Sequence, residues 1–181
     1  MKKLIYFAYG SNLLTERLRA RCPSAQPVGI AVAPGYRLIF SKQSVDKSGK
    51  ATLEKTVKPE QKAYGVLFKI ETDDHLALDR AEGKGNGYDR IENFSVTSLH
   101  DTIQAEVMTY LASADAIDPM LKPFDWYKDL VIGGAVQHKL PKLYIASLRA
   151  FTSIIDPKPD RKSRKDAIAA LKLASLSGSN G

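Results

Sequence analysis

A glycine turn between two hydrophobic patterns is the first place in this sequence where chemistry is expected. An apolar run from Leu4 to Ala8 has the residue types of a buried strand and stops at Tyr9-Gly10-Ser11-Asn12, after which apolar residues recur at helical spacing. A strand that enters a helix through glycine leaves backbone N–H groups exposed at the positive end of the helix. We therefore expect this turn to bind an anionic group such as a carboxylate.

A glutamate near the end of a predicted helix is the candidate for proton transfer. Glu82 follows Leu78 by four residues, which places it beside the apolar face of the helix, and Gly83 is the type of residue that commonly follows a helix end. A carboxylate in such a position can accept a proton as general base and return it as general acid. Asp79 and Asp89 are neighbouring competitors for this role.

Other kinds of catalytic centre lack the residues that they need. His75, His100 and His138 are isolated in sequence, and no histidine lies near the single cysteine, Cys22. Neither a metal site nor a thiol nucleophile is therefore expected. The segment Lys84-Gly85-Asn86-Gly87 lacks the spacing of a phosphate-binding P-loop and follows a helix. We predict no metal and no organic cofactor.

Three segments resemble the γ-glutamylcyclotransferase family, and they occur in the family's order. They are Tyr6 to Leu13, Leu78 to Gly83 with Tyr88 beyond it, and Tyr127 to Ala135. The resemblance extends over residues 4 to 155. It implies a small mixed, barrel-like sheet flanked by helices, with the active cavity at one end of the barrel.

The resemblance also implies an activity and the residues for it. Members of the family close the glutamyl group of a γ-glutamyl amide into 5-oxoproline and release the amine. Glu82 holds the position of the family's catalytic glutamate, the general acid and base, whereas Asp79 and Asp89 do not. The residues expected to bind substrate are Tyr6, Phe7, Ala8, Tyr9, Gly10, Ser11, Asn12, Tyr88, Tyr110 and Tyr127.

Three functions are compatible with this pattern. The leading one is a γ-glutamylcyclotransferase that acts on a γ-glutamyl amino acid or a close relative. A second keeps the chemistry but removes a γ-glutamyl group from another amine, such as one in natural-product biosynthesis. A third is a non-catalytic domain that binds a γ-glutamyl ligand. The loops expected to contact the leaving amine, residues 42–50, 84–88 and 112–123, match the family least, so the sequence does not identify that amine.

The predicted elements place these residues in one α+β domain. Strands gather in the middle of the chain and helices lie early and late, which does not give the βαβα alternation of a doubly wound sheet. We expect a domain over residues 1–156 and a basic, partly mobile C-terminal tail over 157–181. The predicted strands are Ile5–Tyr9, Val28–Val32, Tyr36–Ser41, Ala51–Thr56, Ala63–Ile70, Ile91–Ser98 and Ile103–Leu111.

Four helices are predicted in the domain and one in the tail. The first begins near Asn12, with Ser11 or Asn12 as its N-cap, and ends before Pro23. The tail helix would lie within Asp166–Leu176. The other three predicted helices run from Thr72 or Asp73 to Glu82, from Phe124 to His138 and from Lys142 to Ile155.

A net charge of +7 is compatible with a protein that binds nucleic acid, so the distribution of the charge along the chain must be considered. The excess charge lies mainly in residues 42–62 and 156–181. The segment from Lys42 to Lys50 contains no aromatic residue and is interpreted as a solvated loop, and the tail also lacks aromatic residues for stacking on bases. We therefore expect a solvated surface and no nucleic-acid partner.

The remaining partners and the location follow from the same composition. The apolar run from Leu4 to Ala8 is far shorter than the roughly 20 residues of a membrane helix, and it is too short for a secretory signal. One cysteine is compatible with a reducing compartment. We expect a cytoplasmic protein with a small-molecule γ-glutamyl substrate and no membrane partner. A homodimer is expected from the resemblance alone.

Overall fold

A computed structural model of the chain describes residues 3–58, 60–82, 87–100 and 104–178. The predictions that concern Gly83, Lys84–Asn86, the turn at Asp101–Thr102 and the last three residues lie outside these ranges. The strands are β1 Lys3–Ala8, β2 Gln26–Pro34, β3 Tyr36–Gln43, β4 Gly49–Lys55, β5 Lys62–Glu71, β6 Tyr88–Ser98 and β7 Gln104–Ala112. The helices are α1 Thr15–Arg19, α2 His75–Glu82, α3 Asp125–Gln137, α4 Lys142–Ala150 and α5 Lys162–Gly178.

Five of the strands close into a barrel in the order β1-β5-β2-β6-β7. All neighbouring pairs are antiparallel except β7 and β1, which run parallel where the barrel closes. Strands β3 and β4 form a separate two-stranded antiparallel sheet. The predicted α+β class, with a small mixed barrel-like sheet flanked by helices, is confirmed.

The barrel brings distant parts of the chain to one of its ends. Because β7 runs parallel to β1, the carboxyl ends of these two strands lie at the same end, and the antiparallel β6 begins there. Tyr88 at the start of β6 pairs with Ala112 at the end of β7. Residues after β1, at the start of β6 and late in β7 are therefore neighbours in space.

The helix predicted near Asn12 begins later than expected. Ser11–Leu13 form a single 3-10 turn, and α1 starts at Thr15 with Leu14 as its N-cap and no side-chain cap. The prediction that Ser11 or Asn12 caps the helix is wrong, because both residues lie inside the 3-10 turn and are buried. The Thr15 amide finds its acceptor elsewhere, in Gln137 Oε1 at 3.0 Å.

The helix predicted from Lys142 to Ile155 ends at Ala150. Beyond it the chain is extended, and Ile154 forms a parallel bridge with Phe124 in which the Ile154 amide donates to the Pro123 carbonyl over 3.0 Å. The Lys128 ammonium donates to the carbonyls of Arg149 and Phe151 at the end of the helix. Backbone pairing with the segment before α3 therefore replaces the last predicted turn.

The C-terminal helix α5 packs against α1 and α3. Ala167 and Ala170 on α5 are buried. A buried carboxylate, Asp156, lies before α5 and accepts hydrogen bonds from Trp126 Nε1 at 2.9 Å and from Arg161 Nε at 2.6 Å. These contacts attach residues 156–161 to the start of α3.

The glycine pair in α3 allows the helix to lie directly against the 3-10 turn after β1. A Cβ atom on Gly134 would lie 2.4 Å from the backbone of Leu13 and Leu14, and a Cβ on Gly133 would lie 2.6 Å from Leu171 Cδ2.

None of the described helices combines the length and the hydrophobicity that crossing a lipid bilayer requires.

Candidate active site

A small cavity lies at the barrel end where β1 and β7 finish and β6 begins. The space inside it, counted up to its open mouth, is about 280 Å³. We call it the inner cavity. Its walls are formed by Tyr6, Tyr9, Gly10, Ser11, Asn12, Ala51, Glu82, Tyr88, Tyr110 and Tyr127.

Glu82 is held in the wall of the inner cavity by two side chains from the segment after β1. Asn12 Nδ2 donates to Glu82 Oε1 over 2.9 Å, and the guanidinium of Arg21 donates to the same oxygen over 2.6 Å. Arg21 also donates to Asn12 Oδ1 over 2.9 Å, which closes a triangle of hydrogen bonds. Both contacts use Oε1, so the second carboxylate oxygen is not engaged by them.

Three tyrosines of the wall donate their hydroxyl protons within the protein. Tyr9 donates to the carbonyl of Tyr110, and Tyr110 donates to Asp79 Oδ1 over 2.6 Å. Tyr88 donates to the carbonyl of Ala51 over 2.6 Å. These hydroxyls build the wall of the cavity.

The hydroxyls of Tyr6 and Tyr127 act as acceptors instead. Tyr6 Oη accepts from Asn12 Nδ2 at 3.0 Å, and Tyr127 Oη accepts from the Ala51 amide at 3.2 Å. Neither of these bonds uses the hydroxyl proton. Burial raises the pKa of both tyrosines above the usual value, and for Tyr6 the Glu82 charge adds to the effect. Both groups therefore remain protonated donors at neutral pH.

Glu82 is the only carboxylate among the described residues that line the inner cavity. Asp79 lies one turn earlier on α2 and accepts from Tyr110 and from Arg90, whose guanidinium is 2.7 Å away. Asp89, the other predicted competitor, is exposed. Proton transfer inside this cavity is thus open to Glu82.

A larger outer cavity of about 760 Å³ shares Ser11, Glu82, Tyr88 and Tyr127 with the inner one and opens to solvent. Lys42 and Lys50 line it, so the interpretation of Lys42–Lys50 as a solvated loop is wrong. Lys42 is only 8% exposed. The Lys50 ammonium bonds Asp46 at 2.9 Å and lies 4.7 Å from the centre of the Tyr127 ring. Aromatic rings and the Asp46 carboxylate replace the water that these lysines lose.

The structure brings nine of the eleven predicted site residues to the inner cavity. Phe7 and Ala8 are fully buried and do not line it. Phe7 packs against Phe94 in the core. Two residues of the site are not among those predicted from the sequence. They are Ala51, whose backbone binds two tyrosines, and Arg21, which binds Glu82.

The described residues contain no group of three or more histidine, cysteine, aspartate or glutamate side chains that could hold a metal ion.

Comparison with known proteins agrees with the fold. Residues 62–148 match the model of the AIG2-like family. The chain is 31% identical over 157 residues to human gamma-glutamylcyclotransferase, which covers 82% of this chain and 79% of the human protein. It is 30% identical over 154 residues to the mouse protein of the same name, covering 81% and 77% of the two chains.

A solved structure of a gamma-glutamyl cyclotransferase superposes with a TM-score of 0.81 and 28% sequence identity. The superposition covers 93% of this chain and 99% of the solved one. From the barrel, the cavity and these likenesses together, we conclude that the chain belongs to the gamma-glutamylcyclotransferase family and is an enzyme of that type.

Proposed function

We propose that the enzyme cyclises a γ-glutamyl amide to 5-oxoproline and releases the free amine, with Glu82 as general base and general acid. The observation that carries this proposal is the position of Glu82. It is the one carboxylate in the described wall of the inner cavity, and it is held through Oε1 by Asn12 and Arg21. The other carboxylate oxygen can then face the substrate.

The substrate supplies its own nucleophile in this reaction. Its α-ammonium group loses a proton to Glu82, and the resulting amine attacks the γ-carbonyl carbon to close a five-membered ring. The C–N bond to the leaving amine then breaks as Glu82 returns a proton to that nitrogen. After ring closure the ring nitrogen gives up a second proton, which passes through Glu82 to the released amine. The ring nitrogen thus keeps one of its three hydrogens, the amine leaves as an ammonium ion, and no proton is consumed.

A small, tight cavity suits an intramolecular reaction of this kind. Well-oriented intramolecular reactions have effective molarities of about 10⁵–10⁸ M, so holding the glutamyl chain folded supplies much of the acceleration. A Cβ atom on Gly10 would lie 3.1 Å from Ala51 Cβ and 3.7 Å from Tyr127 Oη, which shows how little space the wall leaves. We propose that the folded glutamyl chain occupies the inner cavity.

Hydrogen-bond donors for the substrate oxygens are available in the wall of the inner cavity that also contains Glu82. We assign the hydroxyls of Tyr127 and Tyr6 to the γ-carbonyl oxygen, on which negative charge develops. Their protons are available for it, because in the bonds with Ala51 and Asn12 the two hydroxyl oxygens act as acceptors. The α-carboxylate is assigned to the backbone amides of the turn Gly10-Ser11-Asn12. The first amides of a helical turn have no acceptor within that turn.

The experiment is to measure 5-oxoproline release by the full chain from γ-glutamylalanine, glutathione and γ-glutamylpropylamide. The matched control is α-glutamylalanine, an isomer of γ-glutamylalanine. Its amide is formed by the α-carboxyl group, so it has no γ-amide that the α-amine could attack. We expect release from at least one γ-linked substrate and none from the α-linked isomer. Release from none of the γ-linked compounds would contradict the proposal.

A further inference from the structure

The outer cavity is lined by more positive than negative charge. Its cationic side chains are those of Arg17, Arg21, Lys42, Lys50 and Arg161, whereas Asp46 and Glu82 are its carboxylates. Three of the cations are matched by ion pairs, namely Arg21 with Glu82, Lys50 with Asp46 and Arg161 with Asp156. Two positive charges, those of Lys42 and Arg17, are left without such a pair in the part of the chain that the structure describes.

Lys42 lies at the boundary between the outer and inner cavities. Its ammonium is 4.8 Å from the centre of the Tyr88 ring, and Tyr88 lines both cavities. The ammonium of Lys42 makes no hydrogen bond or ion pair within the described ranges, and the sequence of residues 83–86 contains no acid. Burial lowers the pKa of Lys42, although the charges of Glu82 and Asp46 oppose this. An anion beside this ammonium would offset its desolvation.

Arg17 is the second unmatched cation. Its Nε atom is buried and has no hydrogen-bond partner within the described ranges. Burial, and then the like charge of Arg21, lower the pKa of Arg17 to about 10, so the guanidinium stays charged at neutral pH. A buried donor without an acceptor destabilises the fold, and a carboxylate bound beside the Arg17 guanidinium would offset that cost.

We propose that the outer cavity is the leaving-group subsite and that it selects a leaving amine with two carboxylate groups, which Lys42 and Arg17 bind. This inference rests on the proposed function, because it places the γ-glutamyl group in the inner cavity. The glutamyl group brings its own ammonium and carboxylate and is neutral overall, so it does not balance the two outer charges. An acidic amino acid as leaving group would balance both.

The test compares γ-glutamylglutamate with γ-glutamylglutamine, which have nearly the same shape and differ by one negative charge. The kcat/KM values for 5-oxoproline release are measured with the wild-type full chain. We expect the acidic substrate to be preferred roughly tenfold or more. The preference should shrink when salt is raised from about 0.02 M to about 0.5 M, because the outer cavity opens to solvent.

Variants locate the preference in the outer cavity. Lys42→Met and Arg17→Met should each reduce the ratio of the two kcat/KM values severalfold, and Lys42→Arg should retain most of it. Lys55→Met is the matched control, since Lys55 is exposed and lines neither cavity, and its ratio should equal that of the wild type. If Lys42→Met does not fold, the Arg17→Met ratio and the salt dependence still decide the question.

Three results would contradict the inference, and they differ from one another. If both substrates release 5-oxoproline with equal kcat/KM, the leaving-group subsite is wrong and the proposed function stands. If neither they nor γ-glutamylalanine release any, the proposed function fails and the inference fails with it. A preference for the acidic substrate that Lys42→Met and Arg17→Met leave unchanged would also contradict the assignment of these two residues.

Discussion

Asn12 and Glu82 are 70 residues apart in sequence, yet the carboxamide of Asn12 donates to Glu82 Oε1 over 2.9 Å. Because Arg21 donates to both side chains, the orientation of the carboxamide is fixed, with its oxygen towards Arg21 and its nitrogen towards Glu82. The turn after β1 therefore positions the carboxylate at the end of α2. Glu82 is preorganised before any substrate binds.

Removal of the Arg21 guanidinium should impair catalysis. A hydrogen bond to a charged group contributes about 1.5–3 kcal/mol, so we expect Arg21→Met to lower kcat/KM about 10–100-fold, because Glu82 then keeps the hydrogen bond from Asn12 but loses the one from Arg21. Steady-state kinetics on a γ-glutamyl amide check this. Arg37→Met is the control, because Arg37 pairs with Glu54 between β3 and β4 through largely exposed side chains and should have no effect. Equal kinetics for the two variants would contradict the role of Arg21.

The tyrosines that bind Ala51 should differ in their contribution to the reaction. Tyr127 accepts from the Ala51 amide, a bond that does not use its hydroxyl proton, whereas Tyr88 donates its proton to the Ala51 carbonyl. Loss of a donor to a developing oxyanion costs about 10²–10³ in kcat, so Tyr127→Phe should lower kcat on that scale and Tyr88→Phe by much less. Thermal unfolding of both variants provides the control, since each leaves one backbone group of Ala51 unpaired. A larger kcat loss in Tyr88→Phe would reverse the assignment.

The two adjacent glycines of α3 should respond differently to alanine. The Cβ of Gly134→Ala would meet the backbone of Leu13 and Leu14, which cannot move without moving the turn beside Asn12. We expect a loss of about 1–3 kcal/mol in unfolding free energy, together with reduced activity. In Gly133→Ala the nearest atom is the flexible end of Leu171, and alanine gains up to about 1 kcal/mol in a helix. Chemical denaturation should place Gly133→Ala within about 1 kcal/mol of wild type; the opposite order would refute this packing.

Much of this fold and site could be predicted from sequence, because the signals concerned are local. The strand before Gly10, the helix that carries Glu82 and the hairpin of β6 and β7 are each indicated by residue types within one short segment, and all three are present. The parallel closure of β7 on β1 has no local signal, since it depends on contacts across about a hundred residues. For the same reason the contacts of Arg21, Ala51 and Lys42 with the site could not be predicted.

Acid should destabilise the fold through His138. Burial lowers the pKa of this imidazole below its usual 6.5, while the unfolded chain keeps the ordinary value. The unfolded state therefore binds the proton more readily, and stability falls as the pH drops below about 6.5. We expect the Tm to fall between pH 7.5 and pH 5.5, and the fall to be smaller in His138→Gln. His100→Gln is the control, since His100 is exposed. A pH dependence that is identical in the two variants would show that His138 is not responsible.

The most direct measurement compares Glu82→Gln with wild type for 5-oxoproline release in a single turnover, with substrate binding measured by calorimetry on the same samples. General acid–base catalysis contributes about 10²–10⁴-fold, so release by Glu82→Gln should fall by about that factor while the Kd changes only severalfold. Asp89→Asn, a substitution of an exposed carboxylate outside the inner cavity, should leave release unchanged. Release by Glu82→Gln at the wild-type rate would contradict the assignment of Glu82 as the general base and acid.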